Sequence, residues 1–280
     1  NKINTLYPEM PDHMQRDLIR IRAIRTARSK DMINWYDQKD LVYEDSPTNV
    51  HLYTNQINPY YRAPHIFIGF PNRYINRGWS ESMRVLPELE HRKLRSAASE
   101  RLGTAITDGI FMASRDGVLF KRWNESFLRP GIERKGTWNY GHQAIGCSVV
   151  ETKSSIEGAP NELSLYALES YWTGTKCAMR RYTLRIDGFV SVNAPMRGGE
   201  LVTKLLIFNG NNLILNFSSS AAGDIRVEIQ DKNGKSISGF SLDDCEPIFG
   251  DTLERVVTWQ SNNDLSSLEG RPIKLRFFLR

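Results

Sequence analysis

Two phrases in this chain, Ser29-Lys30-Asp31-Met32-Ile33-Asn34-Trp35 and Ser114-Arg115-Asp116-Gly117-Val118-Leu119-Phe120, share the spacing Ser-x-Asp-x-x-x-aromatic. Each follows a strand-like run, Ile21 to Ala27 in the first case and Ile110 to Ala113 in the second. A short polar turn with Asp at its centre suits a tight hairpin whose aromatic residue packs back onto the sheet. A weaker echo, Arg185-Ile186-Asp187-Gly188-Phe189, follows the run Met179 to Leu184. Because Asp31 and Asp116 recur at equivalent places, they are assigned to hairpin turns and not to catalysis.

Strand signals fill most of the remaining chain. His65 to Phe70, Gly109 to Ala113, Leu163 to Ala167 and Ala178 to Leu184 are short, rich in aliphatic and aromatic residues, and bounded by Gly, Pro, Asn or Asp. Helical periodicity is scarce, and Pro87 to Arg101 reads as a loop or a brief surface helix. Repeated hairpins are how propeller blades are built, chance recurrence of a common hairpin being the alternative. The expected fold is therefore all-β, with part of a five-bladed-type β-propeller over residues 1–195. A Gly-rich turn at Met196-Arg197-Gly198-Gly199-Glu200 marks the boundary. Beyond it, Thr203 to Phe208, Asn212 to Phe217, Asp224 to Gln230, Arg255 to Trp259 and Ile273 to Leu279 have the spacing of a β-sandwich over residues 196–280, with a turn at Asp231-Lys232-Asn233-Gly234. The run Leu275 to Leu279 stops in mid-strand, which predicts a further strand beyond it.

Several phrases resemble the bacterial secreted proteins related to the five-bladed propeller glycoside hydrolases of families 32 and 43. They are Arg25 to Trp35, His51-Leu52-Tyr53-Thr54-Asn55, Tyr61-Arg62-Ala63-Pro64-His65 with Gly69-Phe70-Pro71, Ser114 to Gly117, and Arg181 to Phe189; in the second half, Ile225 to Asp231 and Gly239 to Leu242 with Asp244-Cys245. The resemblance implies a carbohydrate partner, action on glycosidic bonds of oligo- or polysaccharides, a secreted or periplasmic location in a bacterium, and no cofactor. It also implies a missing N-terminal propeller segment, because five four-stranded blades need more chain than precedes residue 196, and the first blade carries a catalytic carboxylate in those families. A non-catalytic carbohydrate-binding or scaffold propeller is the alternative, and a module completed by another segment or chain is a third.

Glycoside hydrolysis generally needs two carboxyl groups facing each other across the sugar, one an acid with a raised pKa. The candidates are Asp108, at the entrance of the Gly109 to Ala113 run, and Glu169, after Leu163 to Ala167. The alternatives are an Asp-Gly turn cap for Asp108 and a solvated Glu169. Saccharide binding needs flat apolar faces beside hydrogen-bonding groups, and Trp138-Asn139-Tyr140-Gly141-His142 concentrates both, which nominates Trp138, Tyr140 and His142 unless they form a buried aromatic cluster. Asn55 and Tyr60 crowd the start of a blade, and Arg62 offers a planar fork for a carboxylate.

Other chemistries find little support. The net charge of +5 comes from 37 basic and 32 acidic residues scattered along the chain. The arginines between Arg16 and Arg28 accompany no nucleic-acid motif and read as the polar face of a half-buried strand, so no nucleic-acid partner is expected. Three cysteines, Cys147, Cys177 and Cys245, are too few and too far apart for a disulfide scaffold or a Cys-x-x-Cys metal site. The five histidines show no i, i+4 pair, so no metal site is predicted. No P-loop and no Gly-x-Ser-x-Gly elbow occurs. No run approaches the roughly 18 apolar residues of a spanning helix. Asn-x-Ser sequons lie at Asn124 and Asn216.

Overall fold

The computed structural model describes residues 21–44, 50–146, 148–173 and 177–280. The basic run up to Arg20, together with His13 and Cys147, lies outside them. Strand accounts for 42% of the described residues and helix for 9%, in several sheets of which none closes on itself, so the described part of the chain is all-β. Two compact units divide it, one comprising the described residues up to Lys153 with Glu162–Leu184, the other Ser154–Asn161 with Arg185–Arg280.

The first unit opens with strands β1 (Arg25–Ser29), β2 (Trp35–Asp40), β3 (Val42–Tyr43), β4 (His51–Tyr53), β5 (Asn58–Tyr60), β6 (Ala63–Gly69) and β7 (Asn72–Asn76). Helices α1 (Glu81–Val85), α2 (Leu89–Ala98) and α3 (Arg101–Thr104) then lead into β8 (Ala105–Ser114), β9 (Leu119–Leu128), β10 (Val150–Thr152), β11 (Glu162–Glu169) and β12 (Ala178–Arg185). Ten-residue β8 is the organiser. It pairs with β9 on one edge, and on the other with β7 along its first half and β6 along its second. Ile24, Leu41, Leu52, Ile110, Met112 and Phe120 bury together at its centre. Separate sheets are formed by β1–β2 and by β10–β11–β12.

The two repeated phrases form matching hairpin turns. Ser29 Oγ donates to Asp31 Oδ1 at 3.1 Å and accepts the Met32 N–H at 2.8 Å, while Asp31 Oδ1 accepts the N–H groups of Ile33 and Asn34 at 2.9 and 2.8 Å. Ser114 Oγ donates to Asp116 Oδ1 at 3.0 Å and accepts the Gly117 N–H at 3.0 Å, and Asp116 Oδ1 accepts those of Val118 and Leu119, both at 2.8 Å. Side-chain oxygens thus take up the amides that a tight turn leaves without ladder partners. These bonds favour the ionised form and hold both carboxyls below the usual range.

In the second unit β13 (Gly199–Val202), β14 (Ile214–Ser218), β15 (Ile225–Gln230), β16 (Asp251–Val256) and β17 (Lys274–Leu279) form the sheets β13–β17–β15 and β14–β16. Residues of both sheets, including Phe217, Val227, Ile229 and Phe277, join Phe240, Val257 and fully buried Trp259 in one core. The Trp259 indole N–H reaches the Val227 carbonyl at 2.8 Å. Cys245 is buried there and its Sγ accepts the Val227 N–H at 3.2 Å; Cys177, in the first unit, is exposed, and both are free thiols. The expected strand at Thr203 to Phe208 is instead an irregular segment, with one bridge from Leu206 to Ile273 and hydrogen bonds between Thr203 and Leu275.

Candidate binding site on the β7–β8 ladder

Alternation along β7 sorts its residues onto two faces. Arg73 and Ile75 stand opposite Asp108 and Ile106 of β8, while Tyr74 stands opposite Thr107 and Asn72 opposite Gly109. Each face opens onto a cavity. The larger, about 530 Å³, is floored by Arg73, Ile75, Ile106 and Asp108, with Arg77 where the chain leaves β7. Its other wall comes from Ser126 of β9, the Arg129–Ile132 turn and Trp138. The smaller, about 200 Å³, takes Asn72, Tyr53, Tyr140 and Tyr171, and Thr107 contributes to both. A volume of about 530 Å³ is in the range of small-ligand sites, roughly 300–1,000 Å³.

The larger cavity owes its shape to a bulge. Between the pairs Gly109–Leu128 and Phe111–Trp123 the register slips, so that the four β9 residues Asn124–Phe127 stand against the single β8 residue Ile110. Phe127 returns to pack on Phe70 and Phe111, at centroid distances of 5.5 and 5.7 Å. The bulge leaves the Asn124 carbonyl 2.6 Å from Arg73 Nη1. Arg73 also holds Asp108 through both carboxylate oxygens, Nε to Oδ1 at 2.8 Å and Nη2 to Oδ2 at 2.5 Å. The pair is largely buried, with side chains 18% and 15% exposed. Asp108 is therefore a strand residue in a bidentate ion pair; the Asp-Gly step lies inside β8 and makes no turn.

Trp138 is set by a tightly wound loop. Its own φ is 57°, and Gly136 and Gly141 have φ of 86° and 76°. A Cβ on Gly141 would stand 2.3 Å from the Tyr171 ring, so only glycine lets the loop lie against that ring. The Trp138 indole N–H donates to the Gly131 carbonyl at 2.8 Å. From below, helix α2 buries two arginines where an apolar stripe is the rule. Arg92, 1% exposed, donates to the carbonyls of Pro87 at 2.9 Å, Thr137 at 3.3 Å and Trp138 at 2.9 Å. Burial, with Arg95 beside it, brings the Arg92 pKa down to about 10. Arg95 reaches the Trp172 carbonyl at 3.1 Å and lies over its ring. Glu88, just before α2, accepts the Gly136 N–H at 2.7 Å.

Glu169 sits elsewhere, at the end of β11 and outside both cavities. Arg180 Nε is 2.7 Å from its Oε1, the Tyr182 hydroxyl donates to the same oxygen at 3.1 Å, and Arg134 lies 3.3 Å from Oε2. The hydrogen bond from Arg180 leads in lowering its pKa to about 2, against burial, which pushes it up. A carboxyl so held stays ionised and is a poor proton donor.

Of the sequence candidates, Asp108 and Trp138 therefore share the larger cavity, and Tyr140 lines the smaller one in a cluster with Tyr53 and Tyr74 at 6.0 Å from each. His142 is completely buried, with Nε2 3.3 Å from the Pro130 carbonyl, so it braces the loop from inside. Asn55 Oδ1 accepts the Ile57 N–H at 3.0 Å within its own turn. Tyr60 is buried against Tyr61, and Arg62 lies on the exposed turn between β5 and β6, away from both cavities. Sequence reasoning missed Arg73, Arg77 and Arg92. The alternation Arg73-Tyr74-Ile75-Asn76-Arg77 was the available signal for the first two, since it puts two arginines on one strand face. Among the described residues no group of His, Cys, Asp and Glu is arranged to hold a metal ion, and no helix is long and apolar enough to cross a membrane. No protein-family model, curated protein or solved structure matches this chain.

Proposed function

We propose that this protein binds carbohydrate in the cavity above the β7–β8 ladder. The observation that carries the reading is Trp138 in the wall of a cavity of about 530 Å³ floored by the Arg73–Asp108 pair. An indole offers a flat apolar surface for the C–H face of a sugar ring, and a fixed ion pair offers donors and acceptors for its hydroxyls. Binding is favoured over hydrolysis because the two candidate carboxylates line no common cavity and neither stands free as an acid. Hydrolysis is the second reading, and the presence of Asp108 in the cavity floor is what favours it.

The architecture we propose is part of a propeller followed by a sandwich, on the pattern of the secreted bacterial proteins related to glycoside hydrolase families 32 and 43. The antiparallel series β5–β6–β8–β9, the triplet β10–β11–β12 and the matching Asp31 and Asp116 hairpins support blades. The shared core of β13–β17–β15 and β14–β16 supports the sandwich. Location outside the bacterial cytoplasm rests on the resemblance alone.

A glycan array read alongside product analysis tests the function. Retention of one saccharide class without shortening of the chains, lost in Trp138→Ala, is the expected result. Cleavage that disappears in Asp108→Asn would establish the second reading, and an array with no retained glycan would overturn both.

A further inference from the structure

We infer that the saccharide taken by the larger cavity is an acidic one, its ring carrying a carboxylate or a sulfate. The inference rests on the carbohydrate reading above and adds the ligand's charge. Three arginines and one aspartate line the cavity, Arg73, Arg77, Arg129 and Asp108, a formal excess of two positive charges. Arg73 and Asp108 cancel in charge: both carboxylate oxygens of Asp108 accept from Arg73, and Arg73 Nη1 donates to the Asn124 carbonyl. The excess therefore resides on Arg77 and Arg129. Neither has a side-chain hydrogen bond or an ion pair among the described residues, in a chain where Arg25, Arg180, Arg181, Arg185, Arg276 and Arg280 all have carboxylate partners.

The placement of the two is what turns charge into selectivity. Arg77 follows β7 on the same face as Arg73 and Ile75, and its backbone is fixed by the N–H to Thr104 carbonyl bond at 3.2 Å. Arg129 follows β9 immediately before Pro130, whose ring stiffens the backbone there and whose carbonyl is held by His142. Both guanidinium groups thus hang from anchored backbone beside the apolar wall of Ile106 and Trp138. A planar fork of N–H donors fits carboxylate and sulfate oxygens alike, and charge-assisted bonds of this kind are roughly twice as strong as neutral ones. A neutral sugar would use the indole and leave both cations to water.

Calorimetric titration of the full chain tests this, using a neutral oligosaccharide, its uronic-acid counterpart and its sulfated counterpart at low and high salt. The expected result is that one or both acidic forms bind about tenfold tighter than the neutral form, and that salt erodes the advantage. The carboxylate and sulfate arms decide between the two anions. In Arg77→Gln and Arg129→Gln the ratio of acidic to neutral affinity falls to about threefold or less, since each removes one charge-assisted contact. Equal affinity for neutral and acidic forms, or a ratio unchanged in both variants, overturns the inference while the carbohydrate reading stands. If none of the three sugars binds, it is the carbohydrate reading that fails, and the inference with it.

Discussion

Arg92, buried on helix α2, donates from Nη2 to the backbone carbonyl of Trp138 at 2.9 Å. The same nitrogen faces Thr137 O at 3.3 Å and Nε takes Pro87 O at 2.9 Å, so one guanidinium joins the start of α2 to the loop that walls the cavity. In Arg92→Met those carbonyls lose a donor that is itself almost fully buried. Leaving buried acceptors unsatisfied costs about 2–4 kcal/mol in all, and the Trp138 loop loosens. Arg92→Lys recovers little, because an ammonium cannot span three carbonyls with the geometry of a planar fork. Chemical denaturation reads the stability, and Trp138 fluorescence reads the loop; a wild-type midpoint and spectrum in Arg92→Met would contradict this role.

The matched turns make different contributions. Asp116 closes the hairpin between β8 and β9, whose Phe120 is fully buried, whereas Asp31 closes β1–β2, in which every residue of β2 is exposed. Asp116→Ala is therefore expected to lower the denaturation midpoint more than Asp31→Ala. Asp116→Asn should fall between wild type and Ala, since an amide oxygen can still accept the Val118 and Leu119 N–H groups. Equal effects of the two Ala variants would mean that the turn bonds are not coupled to burial of the strand that follows.

Acidification should destabilise the first unit in two stages. His142 is held below its ordinary value of 6.5 first by burial, the Pro130 carbonyl opposing. Folded His142 is then neutral while the unfolded chain takes up a proton, so stability falls as pH drops below about 6.5. Glu169, lowered from 4.5 to about 2, contributes its full stabilisation above 4.5 and loses it as pH falls toward 2. His142→Phe should flatten the first stage. Glu169→Gln, which strips Arg134 and Arg180 of their anion, should cost about 1–3 kcal/mol at pH 7 and shrink the second stage. Denaturation midpoints measured from pH 8 to pH 3 check both signs; a variant curve parallel to wild type removes that residue from the account.

Strands were the legible part of this chain because their signal is local. The runs at Gly109 to Ala113, Leu163 to Ala167 and Ala178 to Leu184 fall inside β8, β11 and β12, and the Ser-x-Asp phrases fall on turns with matching bonds. The helix α2 was half legible: its ten residues form, but inverted, with Arg92 and Arg95 buried and Leu94 70% exposed. Hydrophobic pattern cannot announce a helix whose inner face is arginine, because the partners are backbone carbonyls that any residue could supply. The candidate site was legible in Trp138 and Asp108 as single residues. That Arg73 would claim Asp108 depends on the β7–β8 register across the inserted helices, and that Glu169 would sit among Arg134, Arg180 and Tyr182 depends on three separate segments; neither relation is written in local spacing.

The claim that saccharide binds beside Trp138 is tested most directly by the indole N–H resonances of the labelled protein during titration with an oligosaccharide retained on the array. Six tryptophans give six such signals, and Trp138→Phe identifies the one that donates to the Gly131 carbonyl. The expected result is that this signal moves in a saturable way while that of Trp259, sealed in the core of the second unit, stays in place. Saturable binding that leaves the Trp138 signal unmoved would contradict it.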